Sequence, residues 1–130
     1  MTRQQLLEWV EERFSVEPDY PWQEDSAVLR HPGSRKWFGV LMQIPRSRLG
    51  LPGEEKVDVL NVKCDPLLIG ILRQKPGIHP AYHMNREHWL SLRLDGSASR
   101  EDICFLLEES WNLTLSPKKD NRKPSEVTSL

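Results

Sequence analysis

The chain has 130 residues and a net charge of −1, with 38% hydrophobic and 28% charged residues; that suits one domain with a real core and gives no overall cationic field. Its longest apolar stretches, 38–42 and 66–72, fall far short of the ~20 residues that span a bilayer, and the opening MTRQQLLEWV, followed by Glu11 and Glu12, predicts no secretory signal. Cys64 and Cys104 form neither a disulfide framework nor a CxxC pair, which predicts reduced thiols and a cytoplasmic protein.

Thr2, with Gln5 three residues on, has the form of a capping box. Leu6, Leu7, Val10 and Phe14 then recur at helical spacing, which predicts an amphipathic helix over 3–15. Pro18 and Pro21 end any continuation, and Trp22 is expected to fold back on the core. Ala27–His31 and Lys36–Ile44, joined by Pro32-Gly33-Ser34, read as an antiparallel hairpin closed by Pro45. Residues 46–53 read as a loop. A third strand follows at 57–64, with Asp58, Leu60, Val62 and Cys64 on a mostly apolar face and Val57, Val59, Asn61 and Lys63 on a mixed one.

Asp65-Pro66 starts a helix, an aspartate N-cap with proline at N1. Leu67, Leu68, Ile71 and Leu72 are expected to form its buried stripe. Residues 76–87 read as irregular, and 88–94 as a fourth strand followed by an Asp95-Gly96 turn. Ser99 caps a last helix whose buried face is Ile103, Leu106, Leu107, Ser110 and Trp111. From 117 to 130 the composition is too polar to repay the entropy of ordering, which predicts a flexible tail after a single domain over 1–116. The fold class expected is α+β: a two-layer sandwich of an antiparallel sheet with helices on one face.

Charge is uneven along the chain. Residues 1–27 carry −5, 28–93 carry +6, 94–116 carry −4 and 117–130 carry +2. An acidic helical side and a basic sheet side are therefore expected.

The order of short motifs over 63–115 is specific. Lys63-Cys64-Asp65-Pro66 opens a helix; Gly77-Ile78, Pro80-Ala81-Tyr82-His83-Met84-Asn85, His88-Trp89, Leu94-Asp95-Gly96 and Ser110-Trp111 follow. This set resembles the MmcQ/YjbR family of small bacterial proteins, and the likeness extends upstream through Tyr20-Pro21-Trp22 and Lys36-Trp37-Phe38. Arg86 and Trp111 depart from the lysine and tyrosine usual there. The resemblance implies a frataxin/CyaY-like (double-wing) topology and brings a DNA-binding label that rests on fold analogy; it carries over no established catalytic activity.

Two binding surfaces compete on the residues themselves. Arg35, Lys36, Arg46, Arg48, Lys63 and Arg86 belong to the basic middle and suit phosphate neutralisation, with Trp37 or Trp89 available to stack on bases. Nucleic acid is then the partner and the protein a monomer. The alternative is a small-ligand or metal site in the 79–89 loop, where Tyr82, His83, Asn85, His88 and Trp89 offer stacking surfaces and directional polar groups. His79, His83 and His88 lack a recognised metal-ligand spacing and Pro80 interrupts them, so no metal and no cofactor are expected. Glu8, Glu11, Glu12 and Glu17 read as a solvated acidic face. Without a GxSxG, P-loop or GxGxxG pattern, the reading is a non-enzymatic binding protein.

Overall fold

The computed structural model describes residues 1–22 and 26–115. The predicted tail lies outside them. Helices α1 (Arg3–Phe14), α2 (Pro66–Leu72) and α3 (Arg100–Leu113) accompany strands β1 (Ala27–Arg30), β2 (Trp37–Pro45), β3 (Lys56–Lys63), β4 (Ile78–Pro80) and β5 (Trp89–Arg93). The strands form one antiparallel sheet in the order β1-β2-β3-β5-β4. No helix among the described residues is long and apolar enough to cross a membrane.

The helix starts follow from local chemistry. Thr2 Oγ1 accepts from Gln5 N–H while the Gln5 side chain accepts from Thr2 N–H, a complete capping box. Asp65 accepts from Leu67 N–H with Pro66 at N1, and Ser99 accepts from Asp102 N–H. These caps satisfy backbone donors that the helix itself leaves unpaired.

Leu6, Val10 and Phe14 of α1, Ile69 of α2, and Ile103, Leu106 and Leu107 of α3 share one core with Leu29, Leu41, Leu60, Val62, Leu90 and Leu92 of the sheet. The helices thus cover one sheet face. Gly39 lets α3 approach closely: a Cβ there would lie 2.9 Å from a Leu29 methyl and 3.3 Å from one of Leu107. Ser110 fastens α3 down. Its hydroxyl donates to Phe38 O at 2.6 Å and accepts from Lys63 N–H at 2.9 Å, just beyond the last paired residues of β2 and β3.

Four expectations need correction. Leu67 and Ile71 do not supply the buried stripe of α2: they are 85% and 68% exposed, and Leu68 is exposed too, whereas Ile69 packs inward and Leu72, also expected in the stripe, rests partly buried against the core. A seven-residue helix that is apolar nearly all round has no period to choose a face; its neighbours chose. Trp22 does not fold into the core, where Phe14, Phe38, His31 and Trp111 already pack ring against ring. It is 57% exposed and meets Trp37 edge to face at 5.7 Å. The irregular stretch contains a fifth strand, β4, held by pairing with β5. Residues 46–49 form a 3-10 turn rather than open loop.

The sheet's second face is not a basic solvent surface either. Ile44, Val57 and Val59 form a second buried cluster there, with Met42, Leu49 and Tyr82 against it. Residues 81–84 fold over this face and cover part of it.

Candidate functional site

Pairing register decides what shares the second face. Val28 stands opposite Val40, Met42 opposite Val59, Ile44 opposite Val57, and Asn61 opposite both Val40 and Ser91. Side chains alternate across a strand, so these residues all point away from the helices.

Asn61 and Ser91 are fully buried polar residues in adjacent central strands. Ser91 Oγ donates to Asn61 Oδ1 at 2.6 Å and accepts from Tyr82 N–H at 2.9 Å. Asn61 Nδ2 donates to Tyr82 O at 2.9 Å. Both backbone groups of Tyr82 are thereby clamped to the sheet. The chain then turns through a left-handed His83 (φ 61°), a conformation that few residues without a special constraint adopt. The two rings stack with centroids 4.0 Å apart.

A groove of about 550 Å³ has Val40, Met42 and Ile44 as its floor. Tyr82, His83 and Met84 border it on one side, and Trp22, Trp37 and Ser26 on the other, with Gln43 also lining it. The groove is therefore apolar below and aromatic at both margins, with an imidazole, an amide and a hydroxyl as polar handles. Its size lies within the range of small-molecule sites.

The pocket residues proposed from sequence divide. Tyr82 and His83 line the groove. Asn85 instead organises the loop, its side chain accepting from Glu87 N–H at 2.7 Å and its carbonyl from His88 and Trp89 N–H. His88 lies in a shallow concavity beside α2, with Arg86, Pro66 and Gly70. Trp89 is half-buried at the start of β5, opposite Lys63.

The basic candidates divide too. Arg35 and Lys36 lie before β2 and Arg46 and Arg48 after it, so nine strand residues, about 26 Å, separate the pairs. Arg46 is ion-paired with Asp95 at 3.6 Å, Arg86 donates to Ala81 O, and Lys63 sits at the Arg35 end of the sheet. The six do not form one stripe.

Among the described residues no three His, Cys, Asp or Glu side chains are placed to hold a metal ion. His79 lies on β4 opposite Ser91, its Nε2 buried without a hydrogen bond. Burial and the nearby Arg93 guanidinium lower its pKa. Glu8, Glu11 and Glu12 line a shallow depression on α1. Burial raises the pKa of both thiols, so neither is an activated nucleophile.

Sequence reasoning missed Trp22, Met42 and Met84 as groove residues, and it missed the Asn61–Ser91 clamp. It also missed His31, which is buried against Phe38 and Trp111, with Nε2 2.8 Å from Thr114 Oγ1 and its pKa lowered mainly by burial.

Known proteins share this sequence and this architecture. The Bacillus subtilis protein YyaQ, itself uncharacterized, is 39% identical over 116 residues, covering 88% of this chain and 98% of the relative. A crystal structure of a Pseudomonas syringae protein superposes with a TM-score of 0.86 at 44% identity, covering 88% of this chain and all of that one. A Deinococcus radiodurans crystal structure shares the fold, with a TM-score of 0.67 at 23% identity over 99% of this chain and 88% of its own. The YjbR family model matches residues 12–113, and the chain belongs to the YjbR family.

Proposed function

We propose that this is a non-enzymatic binding protein, and that the groove on the helix-free sheet face takes a small planar ligand. The observation that carries this reading is that two aromatic pairs, Trp22–Trp37 and the stacked Tyr82–His83, line one groove with Val40, Met42 and Ile44. Aromatic walls over an aliphatic floor favour a flat ring, and polar groups at the edge fix its orientation. As parts of the same proposal, the protein is cytoplasmic, which two unpaired cysteines favour, and its topology is frataxin/CyaY-like, which helices on one face of an antiparallel sheet favour.

The test is a titration of 15N-labelled protein with unlabelled indole, followed by NMR. At about 0.4 kcal/mol per heavy atom such a probe binds near millimolar. The indole N–H signals of Trp22 and Trp37 and the amides of His83 and Met84 are expected to move together. Shifts confined to another surface, or none at tenfold that level, overturn the reading.

A second reading is a single-stranded nucleic acid. Arg35, Lys36 and Lys63 lie at the Trp37 end of the sheet, which favours it. An oligo-dT titration tests it. Affinity should fall by about 0.7 log units per log unit of salt for each phosphate contacted, and salt-independent or undetectable binding rules it out.

A further inference from the structure

Among the described residues, the Trp37 end of the groove holds three cationic side chains, Arg30, Arg35 and Lys36, beside one carboxylate, Asp19. Arg30 has its guanidinium carbon 5.5 Å from the centroid of the Trp37 ring. Its Nε donates to Asp19 at 3.0 Å, and Arg35 lies 3.7 Å from the same carboxylate oxygen. Two guanidiniums thus share one carboxylate, and Lys36 is exposed beside them. Arg35 is 63% exposed along its side chain. Its backbone is left-handed at φ 67° in a turn closed by Arg35 N–H to His31 O and His31 N–H to Lys36 O, so the guanidinium extends from a fixed position. The opposite margin, Tyr82 and His83, carries no carboxylate.

We propose that the ligand is a planar aromatic oxyanion. Its ring lies between the aromatic margins and its carboxylate or phosphate points to Arg30 and Arg35. This rests on the groove being a ring-binding site. Guanidiniums suit both oxyanions because their planar fork matches either geometry, and Arg30 already lies against Trp37, a ring that lines the groove.

Four probes of one ring system separate the two ideas: indole, tryptamine, indole-3-acetate and 3-indolyl phosphate, each titrated at low salt. Both anions are expected to bind about three- to fivefold more tightly than indole, the gain typical of partly exposed charge pairs, and the gain should shrink with added salt. The two anions compared with each other tell which oxyanion the site prefers. Arg35→Gln is expected to remove most of the gain while leaving affinity for neutral indole unchanged, an outcome that loss of structure would not give. Equal binding of all four probes overturns the proposal but leaves the ring site standing. Tighter binding of tryptamine also overturns it. Failure of every probe to bind refutes the ring site itself.

Discussion

Replacing Ser91 with alanine isolates the clamp that holds the groove's Tyr82–His83 margin in place. The hydroxyl accepts from Tyr82 N–H at 2.9 Å and donates to Asn61 Oδ1 at 2.6 Å, in a residue with no exposed surface. Its removal leaves one buried donor and one buried acceptor without that partner. Each orphaned group costs about 1–3 kcal/mol, so the loss is about 2–4 kcal/mol after partial relaxation. Asn61 Nδ2 still holds Tyr82 O, and the loop should loosen rather than detach. Urea unfolding followed by tryptophan fluorescence, with an unchanged slope against denaturant, measures the loss. Indole should also bind the variant more weakly, because Tyr82 and His83 lose their fixed backbone. Ser34→Ala is the control: Ser34 is exposed and accepts from Lys36 N–H at 3.3 Å, so its loss should change stability by less than ~0.5 kcal/mol. A Ser91→Ala effect as small as the control's would refute the argument that this hydroxyl clamps the loop.

Other consequences can be checked on the same protein. Ser110→Ala should destabilise by about 2–4 kcal/mol in urea titrations, since Phe38 O and Lys63 N–H lose the hydroxyl that bridges them. Gly77→Ala should cost more than ~2 kcal/mol by the same measurement, because φ there is 76° and the new Cβ would lie 2.5 Å from Ala98 N. Leu67→Lys and Ile71→Lys should each change stability by less than ~0.5 kcal/mol, as expected of outward-facing positions; a cost of several kcal/mol would restore them to the core. His31 has its folded-state pKa lowered below the usual 6.5, so the unfolded chain takes up a proton first as pH falls. Stability should be full above about pH 7 and decline as pH falls through 6.5. His31→Gln should flatten that decline in a pH series of unfolding curves, leaving the contribution of His79, whose pKa is shifted the same way.

The parts of this fold that sequence made legible are those fixed within a few residues. The three caps, at Thr2, Asp65 and Ser99, are decided by a side chain reaching a backbone N–H two or three positions away. Helices α1 and α3 each run for more than three turns, long enough for a period to select one buried side. What stayed hidden depends on distant partners. β4 is three residues long and includes a proline, so it exists through its pairing with β5. His31 is buried because Trp111 and Thr114, some 80 positions away, close over it. Trp22, Trp37 and Tyr82 meet at one groove through strand register and loop path, and composition holds neither. The basic residues show the converse failure. They cluster in sequence, yet β2 is long enough to carry Arg35 and Arg46 to opposite ends of the sheet.

The two faces of the sheet are built differently, and the difference bears on function. On the helix side, α1, α2 and α3 bury an almost wholly apolar core, and its few polar side chains, such as Ser110, join secondary structure to secondary structure. On the other side, the central strands place Asn61 and Ser91 where apolar residues would pack without needing partners. A buried polar pair stabilises only if every group is satisfied. Here the satisfaction comes from the backbone of Tyr82, so the pair's polarity serves to hold an irregular segment over the sheet. That segment packs against Ile44 of β2 as well as Val57 and Val59 of β3. Beside it Val40, Met42 and Ile44 line a groove together with the rings of Trp22, Trp37, Tyr82 and His83, and Val40 and Ile44 have almost no exposed surface. The clamp therefore fixes one aromatic wall of the groove in which the ligand is proposed to sit, which is why its removal should register both in stability and in indole binding.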